Sequence, residues 1–433
     1  MSNAIATSAA EVFVAAISTT LESDQVQTAD LRRYGLDGLT PRVFVAPKSI
    51  EELQSVLREA HSARLAVIVR GAGTQMTHGN VPQAYDIAVS LVGLDRVIEY
   101  EPADMTITVG AGMPLARLQA TLAEHAQQLP IDALSANATV GGMLATGASG
   151  PLRHRHGTAR DWLIGLRVVH ADGTTSKSGG RVVKNVAGYD MHKLHIGALG
   201  SLGIIPEATF KLAPLPHTSR TIAVALPSAR DAASLVLAAR DAGLALDAAE
   251  LLSPTAAHAV IDHSSWALLL RVAGGYRTVE RTLRELQILA ARSAAACDAI
   301  DAAAWDRWRA AFAPAALSLR MSVAPSDTGH VMELLDRQLS GATVRLSATV
   351  TAGLIRVDLS PARATHCGPL LERAIQTANR FGGSVVVDAA PLSLKRDIDV
   401  FGPLRPDFAI MQRLKLEFDP ERILAPGRFA GRL

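Results

Sequence analysis

Cysteine is nearly absent from this 433-residue chain, which carries only Cys297 and Cys367. Two thiols fall short of the four ligands of an ordinary iron–sulfur cluster, and they build no disulfide framework. Aromatic residues make up 4% of the chain, so Ala, Val and Leu must fill its cores. No long run of like charge occurs, and 43 Lys plus Arg stand against 41 Asp plus Glu. That balance leaves no electrostatic footprint for nucleic acid or for an anionic membrane. The longest apolar runs fall well short of the ~20 residues that span a bilayer. Residues 1–20 lack a basic start, and Glu11 and Ser18 interrupt their apolar stretch, so they read as a helix and not as a signal peptide. Together these absences point to a protein of the reducing cytoplasm.

The length exceeds what one core supports, since single cores stop growing at ~250–300 residues, and two main domains are expected. The first opens with a strand at Arg42–Pro47 and a capping box at Ser49 and Glu52, followed by a helix carrying Leu53, Val56, Leu57 and Ala60. Leu65–Val69 is a continuous apolar run, as in buried parallel strands, and Tyr85–Val89 reads as a third strand. Further on come a strand at Thr106–Val109, a helix at Pro114–Ala126 and glycine-rich loops over 137–157. Strands then flank the hairpin signal Asp172-Gly173.

Pro214-Leu215-Pro216-His217 marks a boundary, and beyond it the order strand, helix, strand, strand, helix occurs twice, from Thr221 to Ala295 and from Leu317 to Phe381, with a last strand at Ser384–Asp388. The expected fold is α+β. A two-lobed first domain is followed by an antiparallel sheet of two ferredoxin-like β-α-β-β-α units with helices on one face. The expected divisions are an N-terminal helical segment (1–40), the first domain (41–215), a C-terminal cap (216–410) and a tail returning to the first domain (411–433).

The strongest local signal is Arg70-Gly71-Ala72-Gly73-Thr74-Gln75-Met76-Thr77-His78-Gly79, directly after a buried strand. Its glycines let consecutive backbone amides approach an anion such as a pyrophosphate. A dinucleotide fingerprint would need glycine where Met76 stands, a P-loop would need Gly-Lys-Ser/Thr, and an ordinary tight turn remains open. Two more small-residue stretches, Ser135–Gly150 and Gly197–Ile205, suggest an extended cofactor crossing the domain.

Arg70–Gly79, Thr139-Val140-Gly141-Gly142, Asp161–Gly173, Lys184–Asp190 and Gly200–Ile205 occur in order, and the Asp419-Pro420 to Pro426-Gly427 tail follows. In these segments the chain resembles the PCMH-type FAD-binding proteins, the vanillyl-alcohol oxidase/p-cresol methylhydroxylase family. Within it, Lys184–Asp190 and the short C-terminal domain give a likeness to the E subunits of bacterial three-subunit glycolate oxidases. The resemblance implies non-covalent FAD, because Thr74 stands where many relatives carry a flavin-linked histidine. His78, close by, reads as a polar loop residue. The resemblance further implies that Arg70, Gly71, Ala72, Gly73, Thr74 and Gln75 hold the pyrophosphate. Ser135, Thr139, Gly141, Gly142, Gly147 and Ser149 would line the flavin and ribityl chain, with Gly203, Ile204 and Ile205 on the adenine side.

The implied activity is oxidation of glycolate or a related 2-hydroxy acid. Electrons would pass to an iron–sulfur subunit beside a second flavoprotein, with membrane contact only through those partners. A cation for the carboxylate would come from Arg320 or Arg356, which strand alternation sends to one sheet face, or from Arg271. His156 or His154 could serve as the base. The His-Gly-x-Gly-Asp-Gly-Asn-x-His-like segment of catalytic relatives does not occur between 220 and 433, and no metal is expected. A self-sufficient flavin enzyme for another small alcohol or acid, and a flavin-binding assembly subunit without turnover, are the alternatives.

Overall fold

The computed structural model describes residues 8–181, 188–339, 342–361 and 364–433, so most of the Lys184–Asp190 segment lies outside the described residues. Helix α1 (Ala9–Ile17) and strands β1 (Val26–Gln27) and β2 (Val43–Val45) come first. Helix α2 (Ile50–Ser62), β3 (Val67–Arg70) and β4 (Ile87–Ser90) follow. The sheet order is β1-β2-β4-β3, with β2, β4 and β3 parallel and β1 antiparallel to β2. The crossover through α2 therefore skips a place, which β4 fills. Ser49 caps α2 by accepting from the Glu52 amide at 3.1 Å, but the Glu52 carboxylate takes the Lys48 amide at 2.7 Å, so the expected reciprocal box is displaced by one residue. Phe13 and Ile17 of α1 share a core with Leu53, Val56 and Leu57 of α2.

A second sheet is antiparallel, as the hairpin signal suggested. In chain order come β5 (Val97–Glu101), β6 (Thr106–Gly110), helix α3 (Leu115–Ala123), β7 (Gln127–Gln128), β8 (Leu163–Val169), β9 (Thr175–Gly179), β10 (Ile204–Lys211) and β11 (Ala213–Pro214). Five of these strands order as β5-β6-β10-β8-β9, and β7 pairs with β11 as a separate ribbon. The stretch expected to be all loop contains a helix, α4 (Val140–Thr146), capped by Thr139, whose Oγ1 accepts from the Gly142 amide at 3.2 Å. Two short helices, α5 (Arg153–His156) and α6 (Ala159–Trp162), lead out of it.

The C-terminal half runs β12 (Thr218–Leu226), α7 (Ala229–Asp241), β13 (Leu246–Leu252), α8 (Pro254–Ile261), β14 (Trp266–Gly274), α9 (Tyr276–Ala291), β15 (Cys297–Ile300) and α10 (Ala304–Ala311). A second unit follows: β16 (Leu317–Ser322), α11 (Thr328–Gln338), β17 (Ala342–Thr349), β18 (Leu354–Pro361), α12 (Cys367–Arg380) and β19 (Ser384–Ala389). Eight strands form one sheet in the order β15-β12-β14-β13-β17-β18-β16-β19, and neighbouring strands all pair antiparallel. The second half of that order mirrors the first, so two ferredoxin-like units meet where β13 pairs with β17. β15 completes the first unit with a fourth strand that the sequence reading lacked.

Strand alternation separates the two faces of this sheet. Leu268, Leu270, Leu319, Met321, Ile355 and Val357 pack into the large core beneath α7, α9, α11 and α12. The expectation of helices on one face alone is corrected. Helices α8 and α10 cover part of the other face, where Ala248, Leu252 and Leu269 cluster with Trp305, Trp308 and Leu152 of the first half. A proline at its first turn and a serine cap start α8 directly after β13. Helices α13 (Leu392–Asp397) and α14 (Phe408–Phe418) precede the tail, which returns beside β3: the Val67 amide donates to Ile423 O at 2.7 Å, and the Ala425 amide to Val67 O at 2.8 Å.

Candidate functional site

The parallel strand β3 delivers the chain to the glycine loop at the mouth of an elongated cavity of about 900 Å³. A Cβ on Gly71 would collide with Oγ1 of Thr139, the cap of α4, so only glycine lets the loop lie against that helix. Gly73 has φ +79, a conformation that side chains rarely adopt. The guanidinium of Arg70 lies 5.0 Å from the centroid of the Tyr34 ring.

The cavity wall gathers the three small-residue stretches. Arg70, Gly71, Ala72, Gly73, Thr74 and Gln75 come from the first, Thr139, Gly141 and Gly142 from the second, and Gly203, Ile204 and Ile205 from the third. Gly147 is not among the lining residues. It ends α4 with φ 63 and packs toward Gly197. Ser135 and Ser149 line an adjoining chamber instead.

The tail contributes a residue that the sequence reading did not single out, although it stands directly after Pro426-Gly427. Arg428 lines the cavity, is 4% exposed, and donates to Met76 O at 2.6 Å and to His78 O. Burial pulls its pKa down to about 10. Its Nε has no hydrogen-bond partner among the described residues. A buried donor left over beside a glycine loop, in a slot otherwise walled by Val69, Leu91, Met143 and Ile205, fits a long ligand with a phosphate centre and flat apolar ends.

A second chamber of about 790 Å³ continues from the first, and Thr74, Gln75, Leu134, Thr146 and Ala148 line both. Its other walls are Ser318, Arg320, Arg356, Asp358 and Asp388 from the C-terminal sheet, and His78, Ser149 and Arg153 from the first half. Alternation places Arg320 with Ser318, and Arg356 with Asp358, opposite the packed face, as the strand pattern implied. Arg320 Nε donates to both Asp388 oxygens, at 2.9 and 2.8 Å, and the residue lines the chamber. Arg356 is buried, donates to Ser149 O across the domain boundary, and lies 5.9 Å from the Trp308 ring centroid.

His78 sits between these groups. Its Nδ1 lies 3.1 Å from Asp388 Oδ1, and its Nε2 lies 3.5 Å from Arg320 Nη2. Burial by itself would raise the Asp388 carboxyl, but Arg320, with His78 and Arg356, more than offsets it and holds the group at about 2. Burial pushes Asp358 up to about 6, and lowers Arg356 and Arg153 from the usual arginine range. The chamber thus holds three guanidiniums against one firmly ionised carboxylate.

The other proposed groups lie elsewhere. His156 Nε2 is 2.7 Å from Asp247 Oδ1, and His154 Nδ1 is 3.0 Å from Thr351 Oγ1, where burial lowers it to about 4. Arg271 packs 4.9 Å from the Trp305 ring centroid. The single turn of α5 sends Arg153 into the chamber, His156 onto β13 and His154 onto the turn between β17 and β18, so the histidines join the domains and do not line the chamber.

Comparison with known proteins agrees with this geometry. Residues 41–179 match the family described as FAD binding domain, and residues 215–352 with 405–429 match the C-terminal domain of FAD linked oxidases. The D-2-hydroxyglutarate dehydrogenase of Xanthomonas citri pv. viticola is 29% identical, over 93% of this chain and 93% of its own length. Glycolate oxidase subunit GlcE of Escherichia coli is 31% identical, but over 40% of this chain and 49% of its own length. The fold is that of p-cresol methylhydroxylase, solved with substrate bound, with a TM-score of 0.75 at 16% identity over 97% of this chain and 96% of that one. With both domain families matched in order along a cavity that suits a dinucleotide, the chain belongs to the PCMH-type FAD-binding family, as an FAD-dependent oxidoreductase.

Proposed function

We propose that this protein oxidises a small 2-hydroxy acid, glycolate or a close relative, to the 2-oxo acid. The supporting observation is the arginine-lined chamber that opens through Thr74, Gln75 and Thr146 onto the cavity proposed for FAD. Gly71 to Gln75 and Arg428 would hold the pyrophosphate, with Thr139, Gly141 and Gly142 along the remaining wall. Bound FAD supplies the hydride acceptor. Arg356 and Arg320 present forked donors that suit a carboxylate, and the packed sheet behind them fixes their positions. FAD is held without a covalent bond, Thr74 standing in the loop and His78 facing Asp388.

Partial likeness to GlcE supports a place in a glycolate-oxidase-like complex, beside a second flavoprotein and an iron–sulfur subunit that takes the electrons. The full-length likeness to D-2-hydroxyglutarate dehydrogenase favours the second reading, a dehydrogenase complete in one chain. Among the described residues no helix is long and apolar enough to cross a membrane. We place the protein in the cytoplasm, reaching a membrane only through partners.

The test is an anaerobic absorption spectrum of the purified holoprotein with glycolate, each enantiomer of lactate, and 2-hydroxyglutarate. Bleaching by one of them supports the reading and selects the substrate. A yellow protein that none of them bleaches, alone or with its co-purifying partners, refutes it and leaves a flavin-binding assembly subunit. Acid precipitation should release the flavin into the supernatant.

A further inference from the structure

Two sides of the His78 ring differ in chemistry. Nε2 faces the Arg320 guanidinium, which has only donors, so this nitrogen presents its lone pair. Nδ1 lies 3.1 Å from the Asp388 carboxylate, which is held ionised and has only lone pairs; the contact is a close approach and not an aligned hydrogen bond, and its charge favours a proton on Nδ1. A buried ring set between a carboxylate and an arginine at the wall of a substrate chamber, with the longer and weaker of its contacts at Nε2, has the arrangement of a general base. The side chain is 8% exposed, Phe401 packs edge-on at 5.8 Å, and the same loop carries Thr74, which lines both cavities.

We propose that His78 accepts the hydroxyl proton of the substrate, a role that rests on the hydroxy-acid reading above. The balance is simple: the O–H proton goes to Nε2, the carbon-bound hydrogen leaves with its electron pair to FAD as oxidant, and the C=O bond forms. Several charged groups bear on the imidazolium. Asp388 from β19 favours it. Arg320 from β16, Arg356 from β18 and Arg153 from α5 oppose it, and so does Arg428, which donates to the His78 carbonyl. A substrate carboxylate placed on Arg320 and Arg356 neutralises part of that positive charge. Asp358 is the competing base, since it lines the same chamber and its Oδ2 has no partner among the described residues.

The experiment uses FAD-loaded wild type, His78→Gln, His78→Asn, Asp358→Asn and Asp388→Asn, with rates expressed per bound flavin. Oxalate, a redox-inactive dianion, is titrated against the flavin spectrum at several pH values, and anaerobic bleaching by the active hydroxy acid is timed over the same range. The expectation is that wild type binds oxalate more tightly as pH falls, while both His78 variants lose that dependence yet bind oxalate within a few-fold at high pH. Their bleaching should slow by ~100-fold or more. Asp388→Asn should move the acid limb of the rate profile to lower pH, because the anion that favours imidazolium is gone. Unchanged rates and oxalate pH dependence in both His78 variants overturn the proposal, as does loss of both in Asp358→Asn in their place. Wild type bleached by no hydroxy acid overturns the substrate reading and this inference together, whereas a bleached wild type with an unaffected His78→Gln overturns this inference alone.

Discussion

Nζ of Lys415 lies 2.6 Å from Oδ2 of Asp419, one helical turn later, and both side chains are closed to solvent. Lys415 also donates to the carbonyls of Ser201 and Leu424, and Asp419 accepts the amides of Ile423 and Leu424. Burial lowers the lysine pKa, with Asp419 acting against it. The pair therefore ties the returning tail to the glycine-rich turn that enters β10. Lys415→Met should strand a buried carboxylate and cost about 3–5 kcal/mol in urea unfolding, whereas replacing both residues with apolar ones should recover much of it. A single variant of wild-type stability would show that the tail is not anchored here.

Gly71 bears on cofactor retention more than on folding. With Thr139 Oγ1 against it, Gly71→Val must push the loop away from α4, and a side chain at Gly73 would strain its positive φ. Both variants should purify folded but pale, with FAD affinity at least ~10-fold weaker, as a loss of ~1.4 kcal/mol implies. Flavin content per chain and equilibrium dialysis are the checks.

The arginine chamber and the histidines of α5 should respond in opposite ways. Arg356→Ala is expected to raise KM for the hydroxy acid ~10–100-fold, the worth of one charge-assisted contact of ~1.5–3 kcal/mol. Arg356→Lys should recover little, because the fork is lost. His156→Gln, removing the partner of Asp247 at the domain boundary, should lower the melting temperature and leave the kinetics of flavin reduction alone. Kinetics that fail only in His156→Gln would reverse this assignment.

Glu250 gives a pH signature unrelated to catalysis. It is buried on strand β13, accepts from Thr349 at 2.6 Å and from Ser347, and burial pushes its pKa up to about 7 from an unfolded value of 4.5, those two hydroxyls opposing the rise. A carboxyl with a raised folded pKa binds more protons in the native state between those values. Its contribution is therefore complete below the unfolded pKa and fades as pH rises through about 7. Relative to wild type, Glu250→Gln should gain up to roughly 3 kcal/mol between pH ~4.5 and ~7.5. Parallel stability curves for the two proteins would rule out the raised pKa.

Much of the fold was legible because it depends on local patterns. Alternation in Leu317–Ser322 and Leu354–Leu359 identified which side chains leave the packed face, and the glycine stretches identified which backbone could approach a ligand. The helix α4 inside a Gly-Ala-Ser-Thr stretch was illegible, since glycine, serine and threonine weaken helix propensity and the helix exists by packing Val140, Met143 and Leu144 into the core. Helices α8 and α10 are illegible for a like reason: their buried residues, Ala256, Ala257 and Val260 in the one and Ala304, Trp305 and Trp308 in the other, are explained only by the second sheet face.

The two-part architecture, the glycine loop after a parallel strand and the direction of Arg320 and Arg356 are already written in the chain, because each follows from side-chain periodicity or backbone freedom within a few residues. Tertiary structure decided the membership of the site. It brought Arg428 from the far end of the chain under the loop, set His78 between Asp388 and Arg320, and drew His156 away to Asp247. Those relations join residues from 91 to 352 positions apart, and charge pairing across a domain boundary leaves no periodic trace in the chain.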